Sequence, residues 1–142
     1  MTRVDFYFNA ANKLDVARKL GAKAYQAGQC ALLFTEDDAL ADELDNVLWT
    51  SPALGFVPHV RCGHALAGET PVHIGSSADA LRTADVLINL GQTAPACFSR
   101  FERLIEVVSL DPDDRQAARQ RYRYYQERGY PLSSIDLSEH RP

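Results

Sequence analysis

Five short apolar runs separated by amphipathic stretches constrain this chain more than any other feature. They are VDFYF at Val4–Phe8, CALLF at Cys30–Phe34, PVHI at Pro71–Ile74, VLINL at Val86–Leu90 and LIEVV at Leu104–Val108. Runs of this length read as strands, and two of the last three are nearly unbroken, as strands covered on both faces tend to be. Between them lie helical patterns. One opens at Asn12, a plausible N-cap, and stops near Gly28; a second opens at Thr35 or Asp37 and places Leu40, Leu44, Val47 and Leu48 on one stripe, with an acidic opposite face. The last helix is the best marked, with Asp111 as N-cap, Pro112 at the first helical position, Asp113 and Asp114 in the positive first turn and Gly129 as terminator. The alternation predicts a single Rossmann-like, doubly wound α/β domain over residues 1–142, with a mostly parallel sheet flanked by helices. A tail from about residue 132 reads as a candidate mobile segment.

Composition bounds the function. A chain of 142 residues, 46% hydrophobic and 24% charged, can bury a core without disulfides or metals. A net charge of -4 argues against a generic nucleic-acid coat while permitting a local basic patch. Neither a signal pattern nor an apolar run approaching the ~20 residues of a membrane span is present, so a cytoplasmic location is expected. Cys30, Cys62 and Cys97 are odd in number and widely spaced, which suits reduced thiols.

Enzyme signatures are weak. Gly75-Ser76-Ser77 after PVHI could offer backbone N–H groups to a phosphate, but neither a dinucleotide fingerprint nor a P-loop occurs, and ordinary turn chemistry explains the segment better. Ser99, Ser133 and Ser134 lack a nucleophile-elbow pattern. His59, Cys62 and His64 could bring three metal ligands to one loop, yet paired zinc spacing is missing, and exposed polar side chains on a flexible loop are the expected reading. His73 is expected to be a satisfied strand residue, and His140 lies in the tail. No catalytic residue, metal site or cofactor is therefore assigned.

Two segments carry the binding chemistry. On the final helix Arg115, Arg119 and Tyr122 follow at spacings of four and three, with Arg123 four beyond Arg119, so guanidinium groups and a ring share a face. Such a face could grip carboxylates through paired hydrogen bonds, or it could be a solvated surface with Arg115 and Arg119 paired locally to Asp113 or Asp114. The second segment is LDNVLWTSPALGFVPH, Leu44–His59, in which Trp49 falls where the helical pattern breaks and Pro52 and Pro58 stiffen the following loop. Trp49 and Phe56 either form a contact surface there or cap the core. A single-strand DNA module stacking bases on Tyr122, Tyr124, Tyr125 or Tyr130, a peptide-binding adaptor, and a structural subunit all remain open from these residues.

The Leu44–His59 segment, with ADVLINLG at Ala84–Gly91, EVVSLDP at Glu106–Pro112 and ARQRYRYYQERGY at Ala118–Tyr130, resembles the chi subunit family of bacterial DNA polymerase III. The resemblance implies a noncatalytic accessory subunit of the clamp loader with two partners. One is the psi subunit, met by Trp49, Pro52, Phe56, Val57, Pro58 and His59. The other is the acidic C-terminal tail of single-stranded-DNA-binding protein, which ends in a phenylalanine carboxylate. Arg115, Arg119, Tyr122, Arg123 and Tyr130 would bind that tail, with Arg119 as the central arginine and Arg115 and Arg123 where familiar members carry lysine.

Overall fold

A computed structural model describes residues 2–50, 57–64 and 67–139. Its order is β1 (Arg3–Ala10), α1 (Lys13–Gln26), β2 (Ala31–Phe34), α2 (Asp38–Thr50), β3 (His59–Arg61), β4 (Val72–Gly75), β5 (Val86–Asn89), β6 (Arg103–Ser109), α3 (Pro112–Glu127) and β7 (Leu132–Asp136). The strands form one sheet of order β3-β4-β2-β5-β6-β1-β7, and each neighbouring pair is parallel. The α/β class and the five expected strands stand, with ends moved by a residue or two.

Parallel strands need cover on both faces, and alternate side chains of each strand supply it. Leu33, Ile74, Ile88, Ile105 and Val107 point to the face covered by α1 and α2, where they meet Ala17, Leu20, Ala41, Leu44 and Leu48. Leu32, Phe34, Leu87, Leu104 and Val108 point to the other face, joining Val4, Phe6, Phe98, Phe101, Ala118 and Tyr125. The helix caps follow sequence logic: Asn12 accepts from the Asp15 N–H, and Asp111 accepts from the Asp113 N–H.

Trp49 falls where the helical pattern ends, as the penultimate residue of α2, which ends at Thr50. Two expectations need correction. Leu132–Asp136 do not begin a loose tail: they form β7, hydrogen-bonded alongside β1, with the Ser133 hydroxyl donating to Asp5. Its sequence hides it, since LSSID has no apolar run and an edge strand needs none. The segment carrying His59 is not a loop of exposed side chains either; His59–Arg61 pair with β4, and His59 is buried. At the end of β4, Gly75 takes φ +146, and a Cβ there would come within 2.8 Å of Cys62 Sγ, so the glycine serves close packing of β4 against the chain that follows the edge strand β3.

Candidate functional site

The buried residues of α3 are Asp114, Ala118, Arg121 and Tyr125, a stripe at helical spacing that is mostly polar. A helix cannot bury such a face unless each group finds a partner. Asp114, at the first turn, accepts from the Ser109 N–H at 2.8 Å, from Lys13 Nζ at 3.1 Å and from Gln92 Nε2 at 3.1 Å. Burial pushes its carboxyl up, but the Ser109 N–H and Lys13 outweigh this and hold it below its ordinary value.

Farther along α3 the partner is Glu106, a fully buried carboxylate in the middle of β6. Its Oε1 accepts from Arg121 Nε and Asn89 Nδ2, both at 3.0 Å, and its Oε2 accepts from the Tyr125 hydroxyl at 2.6 Å and from Asn89 Nδ2 at 3.1 Å. Arg121 Nη1 donates to the Gln92 carbonyl at 3.0 Å. Asn89 sits directly across from Glu106 in the β5–β6 register. Burial pushes the Glu106 carboxyl up, opposed by Arg121, Tyr125 and Asn89, all of which donate to the ionised form. The Tyr125 hydroxyl is pushed up by burial and by that carboxylate.

With α3 seated in this way, its flank forms one wall of a cleft. Successive residues step about 100° round a helix, so Tyr122, Arg115 and Arg119 occupy the side next to the buried stripe, bordering its member Ala118. Together with Phe6 and Phe8 of β1, Val108 of β6 and Ser134 of β7, these four residues enclose about 190 Å³. Tyr122 packs on Phe6 with the rings tilted by 58° and their centroids 5.2 Å apart. Arg115 and Arg119 are exposed at the rim, and among the described residues no carboxylate pairs with either. Arg119 makes one long contact, 3.5 Å to Gln116. Asp114 is committed to Lys13, so local neutralisation by that residue does not occur. An apolar floor beneath two unneutralised guanidinium groups is suited to an apolar side chain that carries a carboxylate.

Not every expected residue joins this cleft. Arg123 is exposed but lies farther round α3, outside the lining. Tyr130 packs on Phe98 at 5.0 Å and is outside the lining. Reading the sequence missed Phe6, Phe8, Val108 and Ser134, which come from three strands, and the support from Glu106, Arg121 and Asp114. One signal was present: a glutamate inside an otherwise apolar strand has to be paired.

A second concave surface of about 400 Å³ is lined by Asp45, Trp49, Pro58, His59, Val60, Arg61, His64 and Thr70. Trp49 is 59% exposed despite its size, and its ring meets that of His59 edge-on at 4.9 Å. His59 Nδ1 donates to the Val57 carbonyl at 2.6 Å, and the Asp45 carboxylate approaches Nε2 at 3.2 Å. Val57 is buried in the core. Pro58 and Trp49 therefore line the surface, His59 backs it, and Val57 lies beneath; Pro52 and Phe56 fall outside the described residues. Among the described residues no group of three or more His, Cys, Asp or Glu side chains could hold a metal ion, and no helix is long and apolar enough to cross a membrane.

Comparison of the fold with solved structures finds the C-terminal domain of the DEAD-box protein Dbp5, at a TM-score of 0.62 and 15% identity, covering 97% of this chain and 91% of that one. At that identity the likeness concerns the fold alone. Sequence relatives are more specific. The chain is 39% identical over 141 residues to DNA polymerase III subunit chi of Pseudomonas aeruginosa, covering 96% of this chain and 98% of the relative. The Haemophilus influenzae subunit chi is 33% identical, covering 87% and 86%, and that of Escherichia coli is 30% identical, covering 82% and 80%. The family model for the DNA polymerase III chi subunit, HolC, matches residues 1–133. This chain therefore belongs to the DNA polymerase III chi subunit family, accessory subunits of a replicative polymerase.

Proposed function

We propose that the chain is a noncatalytic cytoplasmic adaptor that joins the clamp loader, through psi, to the acidic C-terminal tail of single-stranded-DNA-binding protein. The observation that carries this reading is the pair Arg115 and Arg119, which have no carboxylate partner among the described residues, over the Phe6, Phe8 and Val108 floor. A tail ending in phenylalanine brings the two complementary groups: a ring for the floor and carboxylates for the arginines. Many tails on one coated strand would raise the local concentration of the loader, so each contact can be modest. Trp49 and Pro58, with Pro52 and Phe56, would meet psi on a separate surface. The alternative of stacking single-stranded bases on the tyrosines is less suited, because Tyr125 is fully buried and Tyr122 is packed on Phe6.

Isothermal titration with a peptide copying the acidic tail tests the reading. The expected affinity is near micromolar, about -8 kcal/mol, and it falls as salt rises because the rim arginines are exposed. Arg119→Ala should remove about 1.5–3 kcal/mol of binding, the worth of charge-assisted hydrogen bonds, with an unchanged melt. A peptide lacking its terminal phenylalanine that binds as tightly as the complete one would overturn the assignment.

A further inference from the structure

The cleft wall owes its position to a helix whose inward face carries little apolar surface. Of the four buried residues of α3, Ala118 offers one methyl and Tyr125 one ring, while Asp114 and Arg121 are charged. Apolar packing of that kind defines rotation poorly, since a smooth, small contact tolerates sliding, whereas directional hydrogen bonds do not. Three polar keys are spread along the helix instead. Asp114 holds the first turn to Ser109, Lys13 and Gln92; Arg121 holds the third quarter to Glu106 and Gln92; Tyr125 holds the last turn to Glu106. Glu106 takes two of the three keys on one carboxylate, and Asn89 braces that carboxylate from the next strand. Asn89 is itself fixed, donating to the Thr93 carbonyl at 3.1 Å and accepting from the Gly91 N–H at 2.9 Å.

We propose that Glu106, with Tyr125 and Arg121, is a positioning device for the tail-binding cleft: it sets the rotation and axial register of α3 and thereby the placement of Arg115 and Arg119 over the floor. This rests on the tail-binding reading of the cleft. The geometry favours it because the keyed residues alternate in sequence with the rim residues on the same helix. Arg119 is two residues before Arg121, and Tyr122 lies between Arg121 and Tyr125. A small rotation of α3 about its axis carries every rim group with it. A binding constellation tolerates only about 0.5 Å and 10–20° of error before it loosens, and groups that lock its supporting rotamers carry that tolerance. Burial of Glu106 makes the constraint stiff, since any departure from its three donors, Arg121, Asn89 and Tyr125, leaves a charge without partners in the core.

The test uses the full chain, with Tyr125→Phe and Glu106→Gln. Tyr125→Phe removes one hydrogen bond while keeping the ring against Phe6 and Phe98, so it should fold; Glu106→Gln keeps the shape and removes the charge. Two quantities are read well below each variant's melting temperature. The first, in the free protein, is the set of backbone amide and arginine side-chain NMR shifts of α3: both variants should move the Arg115 and Arg119 signals. The second is affinity for the acidic tail peptide, expected to fall about threefold in Tyr125→Phe and about tenfold in Glu106→Gln, with much smaller effects when Arg119 is already alanine, because coupled residues act non-additively. Unmoved arginine signals and unchanged affinity in both folded variants, with only the melts lowered, would overturn the proposal and leave the network a purely stabilising one. Equal losses with and without Arg119 would overturn it too. Moved arginine signals in a protein whose wild-type form does not bind the peptide would uphold the positioning role and sink the tail reading.

Discussion

Two arginine-bearing surfaces of this molecule differ in what their charges already hold. Beside Trp49, Arg61 pairs with Asp42 and reaches Asp38 at 3.4 Å, so its guanidinium is locally neutralised by the acidic face of α2. Along α3, Arg115 and Arg119 have no such carboxylates among the described residues, and Asp114 turns inward to Lys13 and Ser109. An arginine with an acidic neighbour stabilises its own fold weakly; one without is ready to meet a carboxylate from elsewhere. The Trp49 surface offers instead an exposed indole and a proline, which suit an apolar anchor from a protein partner. One surface is prepared for charge and the other for apolar area.

The comparison breaks most visibly if the support under α3 is removed. Arg121→Met leaves the buried Glu106 carboxylate without its cation and should cost about 3–5 kcal/mol of stability, read from a denaturant melt. A loss below 1 kcal/mol would mean that the polar stripe does not seat the helix. Next in size is Trp49→Ala, which should weaken psi binding by about 2 kcal/mol or more, with the tail affinity unaltered and the melt little changed for so exposed a side chain. Parallel loss of both affinities together with a sharply lowered melt would make Trp49 a core residue.

Asp114→Asn comes third and concerns acid stability. Its folded carboxyl titrates below the ordinary value of 3.8, so its contribution is complete above that pH and is lost as the pH falls through the folded value. The variant should be about 1–3 kcal/mol less stable at neutral pH. The gap from wild type should close as pH drops below 3.8, measured by melts across that range. A gap that stays constant to the lowest pH would contradict the pairing with Lys13 and Ser109. The smallest effect belongs to Arg61→Ala. Its partners Asp38 and Asp42 are highly exposed, and the melt should change by about 0–1 kcal/mol. A larger loss would erase the contrast between the two surfaces.

Most of the architecture was legible because buried parallel strands leave continuous apolar runs, and capped helices leave Asn12, Asp111 and Pro112 at their starts. The two missed strands are both at sheet edges. HVR is only three residues long, and LSSID alternates too weakly to be seen, since an edge strand is held by backbone hydrogen bonds and needs little apolar surface. The arginine spacing of α3 was equally legible, and it identified three of the cleft residues, Arg115, Arg119 and Tyr122. It could not separate Arg123 from them, because helical spacing gives neighbours on a cylinder and says nothing of which direction faces the sheet.

The sequence by itself determined the α/β alternation, the helix boundaries at their caps, and the presence of a basic and aromatic cluster near the end of the chain, all of which depend on residues close together in the chain. Tertiary structure decided the rest. Only packing turns Arg121 inward while Arg119 stays at the rim, brings Phe6, Phe8, Val108 and Ser134 from three strands beneath them, and sets Glu106 against Asn89 across the sheet. Those choices follow from desolvation and directional hydrogen bonding between distant segments, whose energies depend on which groups meet in space.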